Sequence, residues 1–386
     1  MKKALMFASV ASMIDLFNMD NIKILEDLGY TVDVACNFEQ GSITSQDKVN
    51  EFREELEKKG ISAYHIPVPR KIIAIGSMMK AYKKLSELLK ENNYDIVHCH
   101  SPIGGVIARM ACKKYRKSGT KVIYTAHGFH FYTGAPILNW ILFYPIERYC
   151  AKCTDVIITI NLEDYSRAKN FKSKKIEYVP GIGIDVKSIQ SSRADKKMIR
   201  TKLGINNEDF LLFSAGQLSK RKNHEVIINA LSKVKSNNVK FLLCGLGELE
   251  DYLKNLSEKL GIEDRVIFAG YRNDVKELLY AADCFVFPSL QEGLPVALME
   301  AMAVGIPVIC TDIRGNTDLI KNGKGGYILK TDDVDGFAEK IDEVNRDRLL
   351  AQKFCDTNIN TIKQFDSNII KEHMNIIYSS INKENY

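Results

Sequence analysis

The sequence predicts an α/β protein made of two Rossmann-like, doubly wound domains that face each other across a cleft. Three observations lead to this prediction: the length of 386 residues, the alternation of short apolar runs with longer amphipathic segments, and a break in that alternation near residue 180. Domains usually hold about 100–200 residues, so this length indicates two. Strand–helix–strand alternation gives right-handed crossovers and therefore parallel sheets.

The apolar runs of the first half are predicted to be buried strands. Amphipathic patterns over 79–89 and 103–114 are predicted to be helices between them. The basic start followed by the apolar run 4–14 also fits a signal peptide. We favour a first strand followed by a helix over 18–28. The predicted strands of this half cover residues 4–10, 31–35, 96–99, 121–125 and 156–160.

The alternation pauses at Pro180, Gly181 and Gly183, which disfavour helix and strand alike, and then resumes. We therefore expect a first domain over 1–180 and a second over 181–366. A terminal helix over about 367–386 is expected to pack back on the first domain. The predicted strands of the second half cover residues 210–213, 240–244, 266–268, 284–287 and 308–310.

The cysteines indicate a reduced compartment. Their number, nine, is odd, and several lie within apolar runs, which is typical of buried thiols in a cytosolic protein rather than of a disulfide framework. Cys150 and Cys153 form a single C-x-x-C without a second pair at zinc-ligand spacing. We interpret them as a core pair.

The positive charge is concentrated in the first domain. Residues 1–180 hold 26 lysines and arginines against 19 acidic residues, whereas the remainder holds 28 against 29. Such a patch attracts anionic surfaces, and we expect an anionic membrane surface, not nucleic acid, as the partner. A solvated helix face is equally compatible. Five of the cations fall within nine positions: Lys113, Lys114, Arg116, Lys117 and Lys121.

Membrane contact is expected to be peripheral, because no apolar run approaches the roughly 18 residues of a spanning helix. We expect a cytoplasmic protein that binds at the inner face of the plasma membrane. The apolar side of the helix over 79–89 could insert there, although packing on the sheet explains that stripe equally well.

The most informative motif is the segment 288–302, which follows a predicted strand. A loop carries Glu292, Pro295 opens a helix, and Glu300 lies about two turns further on. The free N–H groups at a helix start bind anions, and carboxylates bind the vicinal hydroxyls of a sugar ring or a ribose. A helix cap at Glu292 with a solvent-facing Glu300 is the structural alternative. The remaining candidate donor contacts of the loop are Ser289, Gly293, Leu294 and Pro295.

This motif resembles the paired-glutamate signature of the family 4 retaining glycosyltransferases, which have the GT-B fold. The segments 280–283, 305–308 and 322–323 are similar to the family too, and the match extends from residue 1 to about 330. The segments 126–131 and 144–147 look closest to bacterial capsule and exopolysaccharide glycosyltransferases.

The resemblance implies transfer of a sugar, with retention of its anomeric configuration, from a nucleotide diphosphate to a hydroxyl of a glycan precursor. We expect a uridine-linked donor, bound by the domain over 181–366, and a lipid-linked acceptor, bound by the domain over 1–180. The resemblance also implies that neither a metal nor another cofactor is needed.

A second site is predicted in the segment 216–223, which follows a predicted strand and precedes a helix that begins near His224. Gly216 is one of its expected donor contacts. Arg221 and Lys222 are placed to hold a diphosphate and to offset charge on the leaving group. The family usually has Arg where this sequence has Gln217, so we expect Arg221 to supply that guanidinium. A solvated basic turn is the alternative.

His127 ends a predicted strand and precedes Gly128, which allows a close backbone approach. The family's corresponding histidine lies near the donor sugar and its phosphate. We expect His98, His100 and His130 to join it in a cluster, with His100 as an acceptor contact. A purely structural histidine is the alternative. We do not predict a metal at His98, Cys99 and His100, because no carboxylates accompany them.

Five further residues are weaker candidates. The resemblance places Gly245, Tyr271 and Arg272 near the nucleotide base. The first predicted loop, 9–17, contains no glycine to approach a diphosphate, and Asp15 and the following Asn18 are candidates for acceptor contact only.

In the expected mechanism Lys222 and Arg221 hold the diphosphate, Glu292 the donor hydroxyls, Glu300 the ribose and His127 the sugar side of the phosphate. A nucleotide-sugar epimerase of the same fold would need a cluster of carboxylates in the first domain, which the sequence lacks. A non-catalytic nucleotide-sugar binder would not need Glu292 or Lys222. A dehydrogenase is disfavoured because both domains lack the dinucleotide fingerprint.

Overall fold

The computed structural model describes residues 2–42, 44–70, 74–192 and 194–383, and the side chains as far as 381. It divides into two compact units. The first consists of the residues up to Ile182 together with those from Ile369 onward, and the second is Gly183–Asn368. Residues 384–386 of the predicted terminal helix lie outside the described residues.

A seven-stranded parallel sheet forms the centre of the first unit, in the order β3-β2-β1-β4-β5-β6-β7. Its strands are β1 (Lys2–Val10), β2 (Tyr30–Asn37), β3 (Ala63–His65), β4 (Ile96–His100), β5 (Lys121–Ala126), β6 (Val156–Thr159) and β7 (Lys175–Tyr178). Its helices are α1 (Ala11–Asp15), α2 (Met19–Asp27), α3 (Gln46–Lys58), α4 (Ile75–Glu91), α5 (Pro102–Cys112), α6 (Ile137–Ala151) and α7 (Leu162–Ala168).

Helices cover both faces of this sheet, which explains the nearly continuous apolar run of β1. Side chains alternate between the faces of a strand. Met6 and its even-numbered neighbours accordingly belong to one core with α2 and α3, whereas Leu5 and Phe7 belong to a second core with α4 and α5.

A second seven-stranded parallel sheet lies in the other unit, in the order β10-β9-β8-β11-β12-β14-β13. Its strands are β8 (Phe210–Ala215), β9 (Val239–Cys244), β10 (Val266–Phe268), β11 (Cys284–Phe287), β12 (Val308–Thr311), β13 (Lys321–Asn322) and β14 (Gly325–Leu329). Its helices are α8 (Val186–Ser191), α9 (Lys196–Lys202), α10 (His224–Leu231), α11 (Glu250–Lys259), α12 (Val275–Ala281), α13 (Val296–Val304), α14 (Asn316–Leu319), α15 (Val334–Arg346) and α16 (Arg348–Ile362).

In both sheets the strand order reverses beside the first strand of the unit, between β1 and β4 and between β8 and β11. Ligands of such sheets bind beyond the carboxyl ends of the strands at this reversal. The two-domain α/β prediction is therefore confirmed, and the topology points to the residues that follow these four strands.

The prediction of a loop over 9–17 is wrong. β1 continues to Val10, and the short helix α1 follows directly. Ala11, Ser12 and Ile14 are at most 2% exposed, so this turn is shaped by packing and needs no glycine.

The last helix, α17 (Ser367–Lys383), completes the core of the first unit. Five of its side chains recur at helical spacing on one face and pack against the cluster that contains Met6. They are Ile370, Met374, Ile377, Tyr378 and Ile381.

Two adjacent isoleucines of α17 test this packing. Ile377→Ala should lower the free energy of unfolding by about 2–5 kcal/mol, because the side chain is 4% exposed and its loss leaves a cavity. Ile376→Ala is the matched control, since Ile376 is 57% exposed and should change stability by no more than about 0.5 kcal/mol. Urea unfolding followed by fluorescence measures both, and equal losses would contradict the described packing.

Candidate functional site

The segment after β8 and the segment after β11 meet in the second unit, at the reversal of strand order. Arg221 and Lys222 lie in a short 3-10 turn over Lys220–Lys222, and Glu292 lies in the loop between β11 and α13. The backbone N–H of Leu290 donates to the carbonyl of Arg221 at 2.8 Å, which joins the two segments directly.

Glu292 binds both cations through one oxygen. Its Oε1 accepts from Arg221 Nη1 at 2.7 Å and from Lys222 Nζ at 2.8 Å. Neither Glu292 nor Lys222 is well exposed, with side chains 12% and 13% accessible, whereas that of Arg221 is 46% accessible. Among the described residues Oε2 has no hydrogen-bond partner, so it is available to a ligand.

Backbone contacts hold this arrangement in place. Asn223 adopts a left-handed conformation, with φ of 55°, and its Nδ2 donates to the carbonyls of Pro288 and Thr331 at 3.1 and 2.9 Å. Arg314 Nε donates to the Glu292 carbonyl at 3.0 Å. Asn223 ends the predicted segment 216–223 but has no predicted role there, and Arg314 lies outside the predicted motifs, because only the folded structure shows these backbone contacts.

Burial shifts the pKa of two site residues. It lowers the pKa of Lys222 from its ordinary value, while Glu292 opposes that shift. Lys222 Nζ also lies 4.7 Å from the centre of the Phe287 ring, a cation–π contact. Burial raises the pKa of Glu300, which projects from α13 and has no hydrogen-bond or ion-pair partner in the described part of the chain.

The start of α13 leaves the N–H groups of its first turn without a side-chain cap. Pro295 is its N-cap and supplies no side-chain hydrogen bond to the first turn. Leu294 and Pro295 are buried, Gly293 is partly exposed, and Ser289 is fully buried. Ser289 Oγ has no partner among the described residues.

The glycines of the neighbouring loops are explained by packing between backbones. A Cβ on Gly245 would lie 1.9 Å from the Gly216 carbonyl oxygen, and one on Gly247 would lie 2.2 Å from that of Leu218. Both Gly216 and Gly245 also have positive φ. These glycines let the loop after β9 support the loop after β8, so the structure explains Gly245 without a ligand.

The two candidates for the base have different surroundings. Tyr271 is 70% exposed and accessible to a ligand. Arg272 Nε donates to Asp274 Oδ1 at 2.8 Å, and the pair borders an open cavity of about 620 Å³ that α8, α9 and α12 also line. The guanidinium of Arg272 is therefore already engaged with a carboxylate.

In the first unit the ends of β4 and β5 bring His98, His100 and His127 together. His100 Nδ1 lies 3.1 Å from His127 Nε2, and the rings of His98 and His100 are 4.2 Å apart. His98 also contacts the hydroxyls of Tyr378, at 2.7 Å, and Thr125, at 2.8 Å. The helix α17 thus reaches the histidine cluster. Because Tyr378 follows His98 by 280 residues, the sequence alone does not show this contact.

The contacts assign the tautomer of His127. His100 Nε2 lies 3.2 Å from the Met6 sulfur, which can only accept, so we place the proton of His100 on Nε2. Its Nδ1 then accepts from His127 Nε2–H, which leaves His127 Nδ1 as an unprotonated acceptor. Burial lowers the pKa of His127 to about 4, so the ring is neutral near pH 7.

The carboxyl end of β4 also carries backbone strain. Ser101 has φ of 70° and ψ of 151°, a region that is populated almost only by glycine. Such residues cluster at functional sites, and this one directly follows His100.

The two acceptor candidates near α1 differ. Asn18 is 1% exposed, its Nδ2 donates to the Met13 carbonyl at 2.8 Å and its Oδ1 accepts from Asn21 at 3.0 Å, so its role is structural. Asp15 ends α1 and remains partly exposed, and burial with the nearby Glu55 raises its pKa. Asp15 therefore remains a candidate and Asn18 does not.

No group of three or more His, Cys, Asp or Glu side chains with metal-binding geometry occurs within the described residues. The nine cysteines are free thiols, and Cys150 and Cys153 are both buried. Across the same residues, no helix combines the length and apolarity needed to cross a bilayer.

The histidine cluster predicts a pH dependence of stability. Burial lowers the pKa of His98 to about 3 and that of His127 to about 4, whereas unfolded histidines titrate near 6.5. The unfolded state therefore binds more protons between these values, and stability should fall as the pH drops below about 6.5, by up to about 1.4 kcal/mol per pH unit for each histidine. Urea unfolding followed by the fluorescence of Trp140, the single tryptophan, reports on this unit.

His98→Gln should reduce this slope, whereas His373→Gln, at an exposed position of α17, should leave it unchanged. Stability that stays constant between pH 6.5 and about pH 5 would contradict the buried, neutral cluster.

Comparisons with known proteins identify the family of the chain. Residues 195–361 match the family model of group 1 glycosyl transferases, and residues 5–161 match that of glycosyl transferase 4-like proteins. EpsD of Bacillus subtilis, which is assigned as a glycosyltransferase, is 35% identical over 384 residues, covering 98% of this chain and 97% of its own.

A more distant relative and a solved structure extend the likeness. The Escherichia coli UDP-Gal:α-D-GlcNAc-diphosphoundecaprenol α-1,3-galactosyltransferase is 29% identical over 364 residues, covering 90% of each chain. Anabaena HepE, solved with UDP and glucose, superposes with a TM-score of 0.77 at 20% identity over 98% of this chain and all of its own. On the strength of these matches the chain belongs to the group 1, family 4-like glycosyltransferases and has their GT-B fold.

Proposed function

We propose that this glycosyltransferase moves a sugar from a uridine diphosphate donor, with retention and without a metal, to a hydroxyl of a lipid-linked glycan precursor in capsule or exopolysaccharide synthesis. The observation that carries the proposal is Glu292, held by Lys222 and Arg221 at the reversal of the second sheet. This network supplies a carboxylate for sugar hydroxyls and two cations for a diphosphate.

The choice of donor and acceptor is supported by the names of relatives. The Escherichia coli relative is named for a UDP-galactose donor and a diphosphoundecaprenol-linked acceptor, and HepE was solved with UDP. A Staphylococcus aureus relative, 26% identical over 344 residues, is a capsular polysaccharide glycosyltransferase. Because the matched relatives are transferases, the epimerase and the non-catalytic binder are not favoured.

Each side chain has a proposed role. Lys222 and Arg221 bind the diphosphate and stabilise the charge that grows on it as the sugar leaves. Glu292 Oε2 accepts from hydroxyls of the sugar, while Oε1 shares the two cations with the diphosphate. Glu300, unpaired and half-buried, accepts from the ribose hydroxyls. His127, through the unprotonated Nδ1, accepts from a further sugar hydroxyl.

Retention follows from attack on the face from which the phosphate departs. The bond from the anomeric carbon to the phosphate oxygen breaks, and the acceptor oxygen bonds to that carbon on the same face. The acceptor proton passes to the leaving phosphate. Such a reaction needs positioning and charge stabilisation more than a covalent nucleophile, and the two cations supply the positive charge.

We also propose a cytoplasmic protein that binds peripherally to an anionic membrane, where lipid-linked acceptors lie. None of Lys113, Lys117, Lys121 and Lys152 lies within ion-pair distance of a carboxylate among the described residues. Arg116 differs, because it makes a two-pronged contact with Asp155 at 2.8 Å and 2.8 Å. Arg116 is therefore structural, and the lysines carry the attraction.

The test is a transfer assay with UDP-sugars and a polyprenyl-diphosphate-linked acceptor, with the product anomer identified by NMR. We expect one UDP-sugar to be consumed, the donor's anomeric configuration to be kept, and activity to persist in EDTA. Glu292→Gln should lower turnover at least about 100-fold, as the loss of one transition-state contact of this kind does. An inverted product, loss of activity in EDTA, or full activity of Glu292→Gln would each contradict the corresponding part of the proposal.

A further inference from the structure

The helix α6 carries an apolar surface that the first unit does not cover. Its sequence is apolar around nearly the whole circumference, which is unusual for a helix on the surface of a domain. Trp140, Phe143 and Tyr144 pack against the core beneath. The opposite side, which we name the α6 arc, is 38–71% exposed and consists of Ile137, Leu138, Ile141, Leu142 and Ile146.

Helical geometry makes the arc continuous. Successive residues are offset by about 100°, so these positions occupy one half of the helix over about two and a half turns. The exposed Pro145 lies among them and, because it is uncharged, does not interrupt the apolar surface. Contiguous apolar patches of this kind mark sites of protein or membrane interaction.

Cations border the arc at its carboxyl-terminal end. Tyr149, 46% exposed, follows on the same side of the helix, and Lys113 Nζ donates to its hydroxyl at 3.2 Å. Lys152 Nζ lies 6.0 Å from the centre of the same ring. Tyr149, Lys113 and Lys152 also line an open cavity of about 410 Å³ together with Lys117 and Lys121. The apolar α6 arc thus ends beside a basic pocket.

This combination suits an anionic bilayer better than a second protein. Interfacial helices place an apolar face about 5–10 Å into the headgroup boundary, with lysines at the phosphates and tyrosine between the two. The pocket contains one carboxylate, Asp155, which is already paired with Arg116 and Lys174. Its other cations complement lipid phosphates.

We propose that the α6 arc inserts into the headgroup region of an anionic bilayer while Lys113 and Lys152, beside Tyr149, bind lipid phosphates. The inference rests on the proposed peripheral attachment and names the element that achieves it. It also replaces the sequence-based candidate for insertion, the helix over 79–89. Leu85, Leu88 and Leu89 of α4 are packed into the core, which leaves Met79 and Tyr82 as the exposed part of that stripe.

The single tryptophan provides a direct probe, since Trp140 lies on α6 itself. A helix with its side chains is about 10–12 Å across, so docking brings acyl chains within quenching range of the indole. With the full chain and vesicles of phosphatidylcholine and phosphatidylglycerol, acyl-chain-brominated lipid should quench Trp140. Vesicles of phosphatidylcholine alone should bind far less protein.

A triple variant carries Leu138→Gln, Ile141→Gln and Leu142→Gln, which remove apolar surface without changing charge. It should weaken vesicle binding about tenfold or more and abolish the quenching. Leu349→Gln, at a position 86% exposed in the second unit, is the matched control and should bind as the unaltered chain does. Lys113→Gln with Lys152→Gln should instead reduce the salt dependence of binding. UDP binding, measured by calorimetry, should be unchanged in all of them.

Vesicle binding that survives the triple substitution, or absence of quenching in the unaltered chain, would overturn the inference. A dimer in sedimentation that the triple substitution dissociates, without quenching, would assign the arc to a second copy of the chain and overturn it too. Docking without sugar transfer would contradict the proposed function alone, and transfer to a soluble acceptor without docking would contradict only this inference.

Discussion

The contact of one Glu292 oxygen with two cations is the constraint on which the candidate donor site depends. Arg221 and Lys222 follow β8, and Glu292 follows β11, so the contact joins the two strands at which the order of the second sheet reverses. An ion pair of this kind orients the carboxylate and leaves Oε2 for a ligand. It also keeps the charge of Lys222 compensated in a partly buried place, where an unpaired ammonium would be costly.

Much of the architecture serves to bring these loops together. Gly245 and Gly247 let one loop approach another to distances that a Cβ would forbid, and the left-handed Asn223 ties the basic turn to the segment after β11. The same principle operates in the first unit, where the ends of β4 and β5 bring three histidines together, with a hydrogen bond between His100 and His127 and a ring contact between His98 and His100. In both units the chemistry-bearing side chains follow central strands, whose position is set by the core.

The fold was predictable from sequence because buried parallel strands such as β1 and β8 are continuous apolar runs, which periodicity detects. The edge strands β3 and β7 are short and only partly buried, so they carry no such signal. Periodicity does not detect α6 either, because this helix is apolar on both its core side and its exposed side and contains Pro145. The sequence identified Glu292 and Lys222 but not their direct contact, and it could not reveal Tyr378 beside His98, because long-range packing decides both.

The most direct test of the central contact is the affinity for UDP of Lys222→Met, Glu292→Gln and the double variant, measured by calorimetry. Because Glu292 competes with the diphosphate for the two cations, Glu292→Gln should bind UDP at least as tightly as the unaltered chain, while Lys222→Met should bind it more weakly, by about 1.5–3 kcal/mol for the loss of a charged hydrogen bond. The double variant should then bind about as weakly as Lys222→Met. Equal weakening by Glu292→Gln alone would contradict the account, since the carboxylate would then be required for the diphosphate itself.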